Sequence, residues 1–273
     1  MKDFLRKIKY QYINRGLSGW TAPIRVLPDL LVIGVVRSGT TSLFHYLNQH
    51  PCISKSAYDE IGYFDDNYKL GINWYRSMFP TKFHKNKIIK KYGKFVTYDV
   101  TPFYIYNQKV SLRIKQDLVH PKILAILRNP IDRAYSNYFL NTQNKKFEER
   151  IDEELKILEK INKKEVEEYY KFVHESLIAR GFYIEQIQTW YDLFSKDNIK
   201  IIKSEELNQN TRDTMNEIFE FLGLDQFDIT DISKKNKMNY SPMLPETRKF
   251  LMEYFEPYNQ KLYSFLNKDF KWN

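Results

Sequence analysis

The run Gly34-Val35-Val36-Arg37-Ser38-Gly39-Thr40-Thr41 has the spacing G-x-x-x-x-G-T-T. Residues of these types at this spacing can hold a phosphate group. Glycines let backbone N–H groups turn toward an anion, hydroxyl side chains add donors, and a helix start behind them adds positive potential. The loop that grips a nucleoside triphosphate carries a lysine where Thr40 stands, reaching the β- and γ-phosphates. Its absence argues against ATP or GTP hydrolysis. Nor does any strand end in an aspartate suited to Mg²⁺; Asp99 comes nearest.

A second constellation follows in Leu127-Arg128-Asn129-Pro130-Ile131-Asp132-Arg133-Ala134-Tyr135-Ser136. Arg128 closes an apolar run, the strand end at which open α/β sheets bind ligands. Ser136 lies two turns along the next helix and can face the same crevice. An arginine and a hydroxyl together suit a second phosphate, separate from the first.

These residues need a scaffold that brings strand ends together. Residues 30–36 (LLVIGVV) and 122–127 (KILAIL) are continuous apolar runs, the pattern of parallel strands buried on both faces. Shorter strands are expected at 95–98 and 199–202. Helical patterns fall at 40–49, 106–119, 130–140, 183–194 and 211–222, with Pro130 opening one helix and Gly223 stopping another. Strands alternating with helices imply an α/β fold, a P-loop-like central parallel sheet flanked by helices on both faces. The charge-laced stretch 148–170 is expected to form a surface helix or flap rather than a coiled-coil arm, since its apolar residues span too few heptads. The tail from Pro245 reads as two helices broken by Pro257. No repeat or Gly/Ser-rich linker divides the chain. One domain is expected over 1–273, with an N-terminal extension at 1–28 and a helical insertion at 144–180.

Composition narrows the partners. The net charge of +9 suits an anionic partner such as a nucleotide or an acidic polysaccharide. Lysines are spread along the chain, with short clusters at 82–94 and 234–237 and no basic tail; nucleic acid is not the expected partner. The single cysteine, Cys52, precludes an intramolecular disulfide. The first residues are basic but lack the apolar stretch of a signal peptide, and no apolar run is long enough to span a bilayer. A cytoplasmic location is therefore expected. The histidines are scattered and no His/Cys group has metal-ligand spacing, so no metal is expected.

On these residues the chain resembles PAPS-dependent sulfotransferases, in particular those acting on heparan sulfate and bacterial glycans. VIGVVRSGTTSL is similar to that family's 5′-phosphosulfate loop, and LRNPIDRAYSNY to its 3′-phosphate segment. EIGYFDDNYKLGINWY (60–75) resembles its K-E-x-H-F-F-D…G-x-x-W-Y segment, and residues 99–104 its E-x-S/T-P-x-Y turn. Residues 180–190 resemble its G-x-Y…W helix, and FEPYNQKLYSFLNKDFKW (255–272) its C-terminal signature.

The resemblance implies that Arg37, Ser38, Gly39, Thr40, Thr41 and Ser42 bind the 5′-phosphosulfate of PAPS. It implies that Arg128 and Ser136 bind the 3′-phosphate, with Tyr183 and Lys237 also on the cofactor side, and that PAP is the product. Glu60 matches the catalytic carboxylate that takes the acceptor's proton. Arg37 would stabilise charge on the bridging oxygen. A carbohydrate hydroxyl or amine is the implied acceptor. The pattern departs on the acceptor side: Asp59 stands for the lysine before the glutamate, and Gly62 for the histidine after it. Lys237 to Pro242 only weakly echo the family's cofactor-covering loop. Two rivals remain: a P-loop kinase, which predicts a loop lysine and Mg²⁺ ligands, and a non-catalytic binder of acidic glycan, which predicts basic and aromatic clusters without a nucleotide loop.

Overall fold

The computed structural model describes residues 20–140, 145–162, 165–233 and 241–272. Five strands form its sheet: β1 (Leu30–Gly34), β2 (Ile53–Lys55), β3 (Val96–Val100), β4 (Lys122–Leu127) and β5 (Ile199–Lys203). Their order is β2-β3-β1-β4-β5, and every neighbouring pair is parallel. The two strands read as apolar runs, β1 and β4, are central and almost wholly buried.

Alternation along these strands divides the core between the two faces of the sheet. Leu31, Ile33, Ile123, Ala125 and Leu127 point to one face. There they meet α4 (Gln108–Asp117), α5 (Pro130–Tyr138), α8 (Tyr183–Leu193) and α11 (Pro245–Leu266) through Ile114, Ile131, Ile187, Leu251 and Phe255. Leu30, Val32, Leu124 and Ile126 point to the other. They meet α1 (Thr40–Leu47) and α10 (Thr211–Phe221) through Leu43, Tyr46, Met215 and Phe219. Helices on both faces of a parallel sheet are what the strand pattern implied.

Three features differ from the sequence reading. First, α11 runs unbroken through Pro257. Proline inside a helix costs about 3 kcal/mol or more. Leu251 and Phe255 before it, and Leu262 after it, are buried. Each such burial contributes roughly 1.5–3 kcal/mol, so packing outweighs the lost hydrogen bond. Second, the charged stretch is two packed helices, α6 (Phe147–Leu158) and α7 (Val166–Glu175). Glu154 is buried and accepts from the Ser176 hydroxyl and from the Leu177 and Ile178 N–H groups, tying α6 to the turn before α8. Third, the edge strand β2 and the helices α2 (Ile72–Arg76), α3 (Lys82–Tyr92) and α9 (Ser204–Gln209) had no periodic signal and were not expected. Cys52 is buried, as a structural cysteine should be. No helix among the described residues is long and apolar enough to cross a membrane.

Candidate active site

The loop after β1 lies at the C-terminal edge of the sheet. Gly39 is the N-cap of α1 at φ 101°, a conformation that glycine adopts without strain. Gly34 is required for a different reason: a Cβ there would lie 2.6 Å from Ile105 Cγ2 and 3.0 Å from the Pro102 carbonyl oxygen. Neighbouring elements hold the loop. The Val35 N–H donates to the Ile126 carbonyl on β4, at 2.9 Å, and the Val36 N–H to the Tyr106 hydroxyl, at 3.3 Å. The Ser38 hydroxyl turns back onto the Val35 carbonyl at 2.6 Å. Ser204, just past β5, donates to the Ser38 carbonyl at 2.6 Å. The first turn of α1, with Thr40, Thr41 and Ser42, therefore starts from a loop held on several sides, and a helix start of this kind favours an anion. Thr40 and Ser42 are buried, and Thr41 is exposed.

The second constellation meets the first. The Arg37 Nε donates to Ser136 Oγ at 3.0 Å, and Arg128 Nη1 donates to the Arg37 carbonyl at 3.0 Å. Tyr183 sits behind them and is buried; its hydroxyl donates to the Arg128 carbonyl at 2.8 Å. Glu205 accepts from the Asn129 N–H at 3.0 Å, fixing the start of α5. Arg37, Arg128 and Ser136, up to 99 residues apart in sequence, thus form one linked group. Lys237 lies outside the described residues.

Glu60 reaches the same edge by another route. Its N–H donates to the carbonyl of Val100, the last residue of β3, at 3.0 Å. Glu60 is exposed, with φ at 54°. Arg37 is likewise left-handed, at φ 71°. Such a conformation is uncommon for a residue with a Cβ, and strain of this kind concentrates at functional sites.

Beneath Glu60 lies Asp99, fully buried in β3. Its carboxylate accepts from the hydroxyls of Thr101 (2.9 Å), Tyr75 (2.9 Å) and Tyr104 (3.0 Å). Two of these hydroxyls pass the anchoring on: Thr101 accepts from the Gly62 N–H and Tyr104 from the Phe64 N–H, each at 3.3 Å. The segment carrying Glu60 is therefore tied to this buried acid, besides its bond to the Val100 carbonyl and the Arg113 guanidinium on the Phe64 and Asp65 carbonyls. Burial pushes the Asp99 carboxyl up to about 6, against the hydrogen bonds from Thr101, Tyr75 and Tyr104, which hold it down. Burial also holds the Tyr75 and Tyr104 hydroxyls well above their ordinary range. With its oxygens engaged by three hydroxyls, Asp99 is a structural acid rather than a Mg²⁺ ligand.

An aromatic floor adjoins this segment. His174 stacks on Phe103 with ring centroids 4.7 Å apart, and the buried Arg180 guanidinium lies over the rings of Phe103 and Tyr106, at 5.0 and 5.4 Å. Sequence reasoning singled out Glu60, Arg37, Arg128 and Ser136 but missed the parts played by Asp99, Tyr75, Tyr106 and Ser204. Ser204 could have been noticed, because it follows β5 directly at the edge where ligands bind. Tyr75 stood in the G-x-x-W-Y match, but nothing there announced its partner, 24 positions away.

A glycine loop and an arginine–serine pair thus stand together at the edge of a parallel sheet, without a loop lysine. The family profile described as "Sulfotransferase domain" matches residues 27–268, and the chain belongs to that family. Membrane-associated sulfotransferase kil1 of Dictyostelium discoideum is 28% identical, over 90% of this chain and 66% of its own length. A mouse bifunctional heparan sulfate N-deacetylase/N-sulfotransferase is 26% identical over 89% of this chain. The match spans slightly less than two thirds of the first relative and 30% of the second. The crystal structure of a sulfotransferase from Alicyclobacillus acidocaldarius shares the fold at a TM-score of 0.66 and 21% identity, over 89% of this chain and 97% of that one.

Proposed function

We propose that the protein transfers a sulfuryl group from PAPS to a hydroxyl or amine of a carbohydrate. The observation that carries this reading is the linked group of Arg37, Arg128 and Ser136 beside the α1 N-terminus. It offers two adjacent anion-binding elements, fitting a nucleotide with a 5′-phosphosulfate and a 3′-phosphate. PAPS supplies an activated sulfuryl group whose leaving portion is PAP.

In this reading the loop from Arg37 to Ser42 holds the 5′-phosphosulfate, and Arg128 with Ser136 holds the 3′-phosphate. Tyr183 fixes the Arg128 backbone. Glu60 takes the proton as the acceptor oxygen or nitrogen bonds to sulfur. Arg37 neutralises the charge that gathers on the bridging oxygen as its bond to sulfur breaks. Such a transfer depends chiefly on positioning and charge stabilisation, as in phosphoryl transfer. The heparan sulfate in the relatives' names favours a carbohydrate acceptor. Asp59 and Gly62, where the resemblance departs, flank Glu60 and would shape a different acceptor preference.

Two measurements test this. In thermal unfolding, PAP at 100 times its Kd should stabilise the protein by about 2.7 kcal/mol, and AMP at the same concentration far less. Equal shifts with AMP, or a shift with ATP–Mg²⁺ alone, would sink the PAPS reading. Radiolabelled sulfate from PAPS should then pass to desulfated glycans.

A further inference from the structure

A basic, aromatic surface lies at the opposite end of the sheet from the candidate site. Arg25, five residues before β1, pairs with Thr81 in an antiparallel bridge, and the Val26 N–H donates to the Pro80 carbonyl. The segment from Trp20 to Arg25 therefore runs beside the start of α3. That helix ends at Tyr92, four residues before β3 begins. Both of its ends are thus tied to the N-terminal edge of the sheet, whereas Gly34 to Thr41 and Glu60 stand at the C-terminal edge.

Two properties of this surface are unusual together. Its charge has one sign: Lys82, Lys85, Lys87, Lys90, Lys91 and Lys94 fall within 13 positions, and no acidic residue occurs between Asp66 and Asp99. Its apolar side chains are bare: Trp20 is 91% exposed, Phe83 81% and Ile24 56%. None of the residues of α3 is buried. At 3.6 residues per turn, Phe83, Lys87, Lys90 and Lys91 share its outward face. Lys94 pairs with Asp225 at 3.0 Å, and Lys85 and Lys91 lie over the rings of Phe95 and Tyr92, while Phe83, Ile24 and Trp20 stay exposed.

We infer that this face docks the protein on an anionic phospholipid surface. Lysines on a helix that also exposes aromatic side chains match the interfacial pattern: cations meet headgroup charge while Phe83, Ile24 and Trp20 enter the acyl boundary. Tryptophan favours that depth because its ring is apolar and its N–H polar. A soluble polyanion would use the lysines and leave the apolar tip wet. A glycan held at Glu60 leaves the molecule at the other edge of the sheet. Docked this way, the protein would present the candidate site away from the membrane. The inference does not rest on the proposed reaction.

Trp20 provides a native reporter, since the other three tryptophans, Trp74, Trp190 and Trp272, are buried. The probes are phosphatidylcholine vesicles with and without roughly a third of phosphatidylserine. The whole chain should sediment with the anionic vesicles and not with the neutral ones. Brominated phosphatidylcholine in the anionic vesicles should quench emission, and Trp20→Phe should remove that quenching. Lys87→Glu, Lys90→Glu and Lys91→Glu combined should lower partitioning on the order of 100-fold, and Phe83→Ser on the order of tenfold. All these positions are exposed, and an unchanged unfolding transition checks each variant's fold. Failure to sediment, binding retained by the triple variant, or binding without quenching overturns the inference. The last result, with vesicles displaced by heparin, would mark a polyanion surface instead.

Discussion

The loop after β1 and the segment around Glu60 stand at one sheet edge but are held in different ways. The loop has many independent anchors: β4 through Ile126, α4's approach through Tyr106, Ser204 beyond β5, and the Arg128 guanidinium on the Arg37 carbonyl. None of these is a carboxyl group. The Glu60 segment is held in good part through carboxyl groups: Asp99, acting through Thr101 and Tyr104, and Asp65, which accepts from Asn107 and Tyr170, with Arg113 adding bonds to the Phe64 and Asp65 carbonyls. The first region should tolerate single losses and changes of pH. The second should respond sharply to both.

Glu60→Gln separates the two regions most strongly. If Glu60 is the base, turnover with PAPS should fall by about 10²–10⁴. PAP should still stabilise the variant, because the helix start, Arg128 and Ser136 proposed to hold the nucleotide are unchanged by the substitution. Full turnover in a folded variant removes Glu60 from the mechanism.

Asp99→Asn should come next. An asparagine cannot accept all three hydroxyls, so the Glu60 segment should shift. A displacement of about 1 Å can cost on the order of 10² in kcat, with PAP binding little changed. The stability effect has a definite sign. Burial raises the Asp99 carboxyl to about 6 in the folded protein, against about 3.9 unfolded. Folding therefore favours the protonated acid. That advantage is full below about pH 4 and is lost as pH rises through 6, a swing of about 3 kcal/mol. Urea unfolding of wild type and variant between pH 4 and 7.5 should show their difference moving toward the variant as pH rises, then levelling. Parallel curves would mean that Asp99 does not titrate in this range.

How much of this was legible in the sequence follows from the range of the interactions. The apolar runs are local patterns: β4 spans the residues read, and β1 starts where it was read and stops at Gly34, two residues before the run ends. Pro257 misled because its local cost is real, while the burial that overrides it comes from distant elements such as α8. The Asp99 cluster was legible only in part for the same reason: residues 99–104 stood in a motif match, but the convergence of three hydroxyls on Asp99 depends on distant packing. Nothing near Asp99 in sequence announces Tyr75, and an aspartate inside a strand reads as a strand end. The expected strand stopped at Tyr98 for that reason, whereas β3 continues to Val100.

Arg128→Ala tests the nucleotide half at its charged point. A charge-assisted hydrogen bond contributes about 1.5–3 kcal/mol. PAP affinity should fall roughly 10- to 100-fold while AMP affinity changes little, so selectivity for the 3′-phosphate collapses. An equal loss for both nucleotides would mean that Arg128 supports the loop through the Arg37 carbonyl rather than reading the 3′-phosphate.

Ser204→Ala should have the smallest effect. It deletes the 2.6 Å hydrogen bond from the Ser204 hydroxyl to the Ser38 carbonyl, at a fully enclosed position. Leaving that carbonyl one donor short costs about 1–3 kcal/mol at most, with the lower end expected where other anchors stay in place. Stability measured by urea unfolding should drop by about 1 kcal/mol, and PAP affinity by no more than about fivefold. The Val35, Val36 and Arg128 hydrogen bonds still define the loop once Ser204 is gone. If this one hydroxyl instead abolished PAP binding, the loop would hang from a single anchor. The contrast between a loop held redundantly without carboxyl groups and a Glu60 segment held through buried acids would then fail.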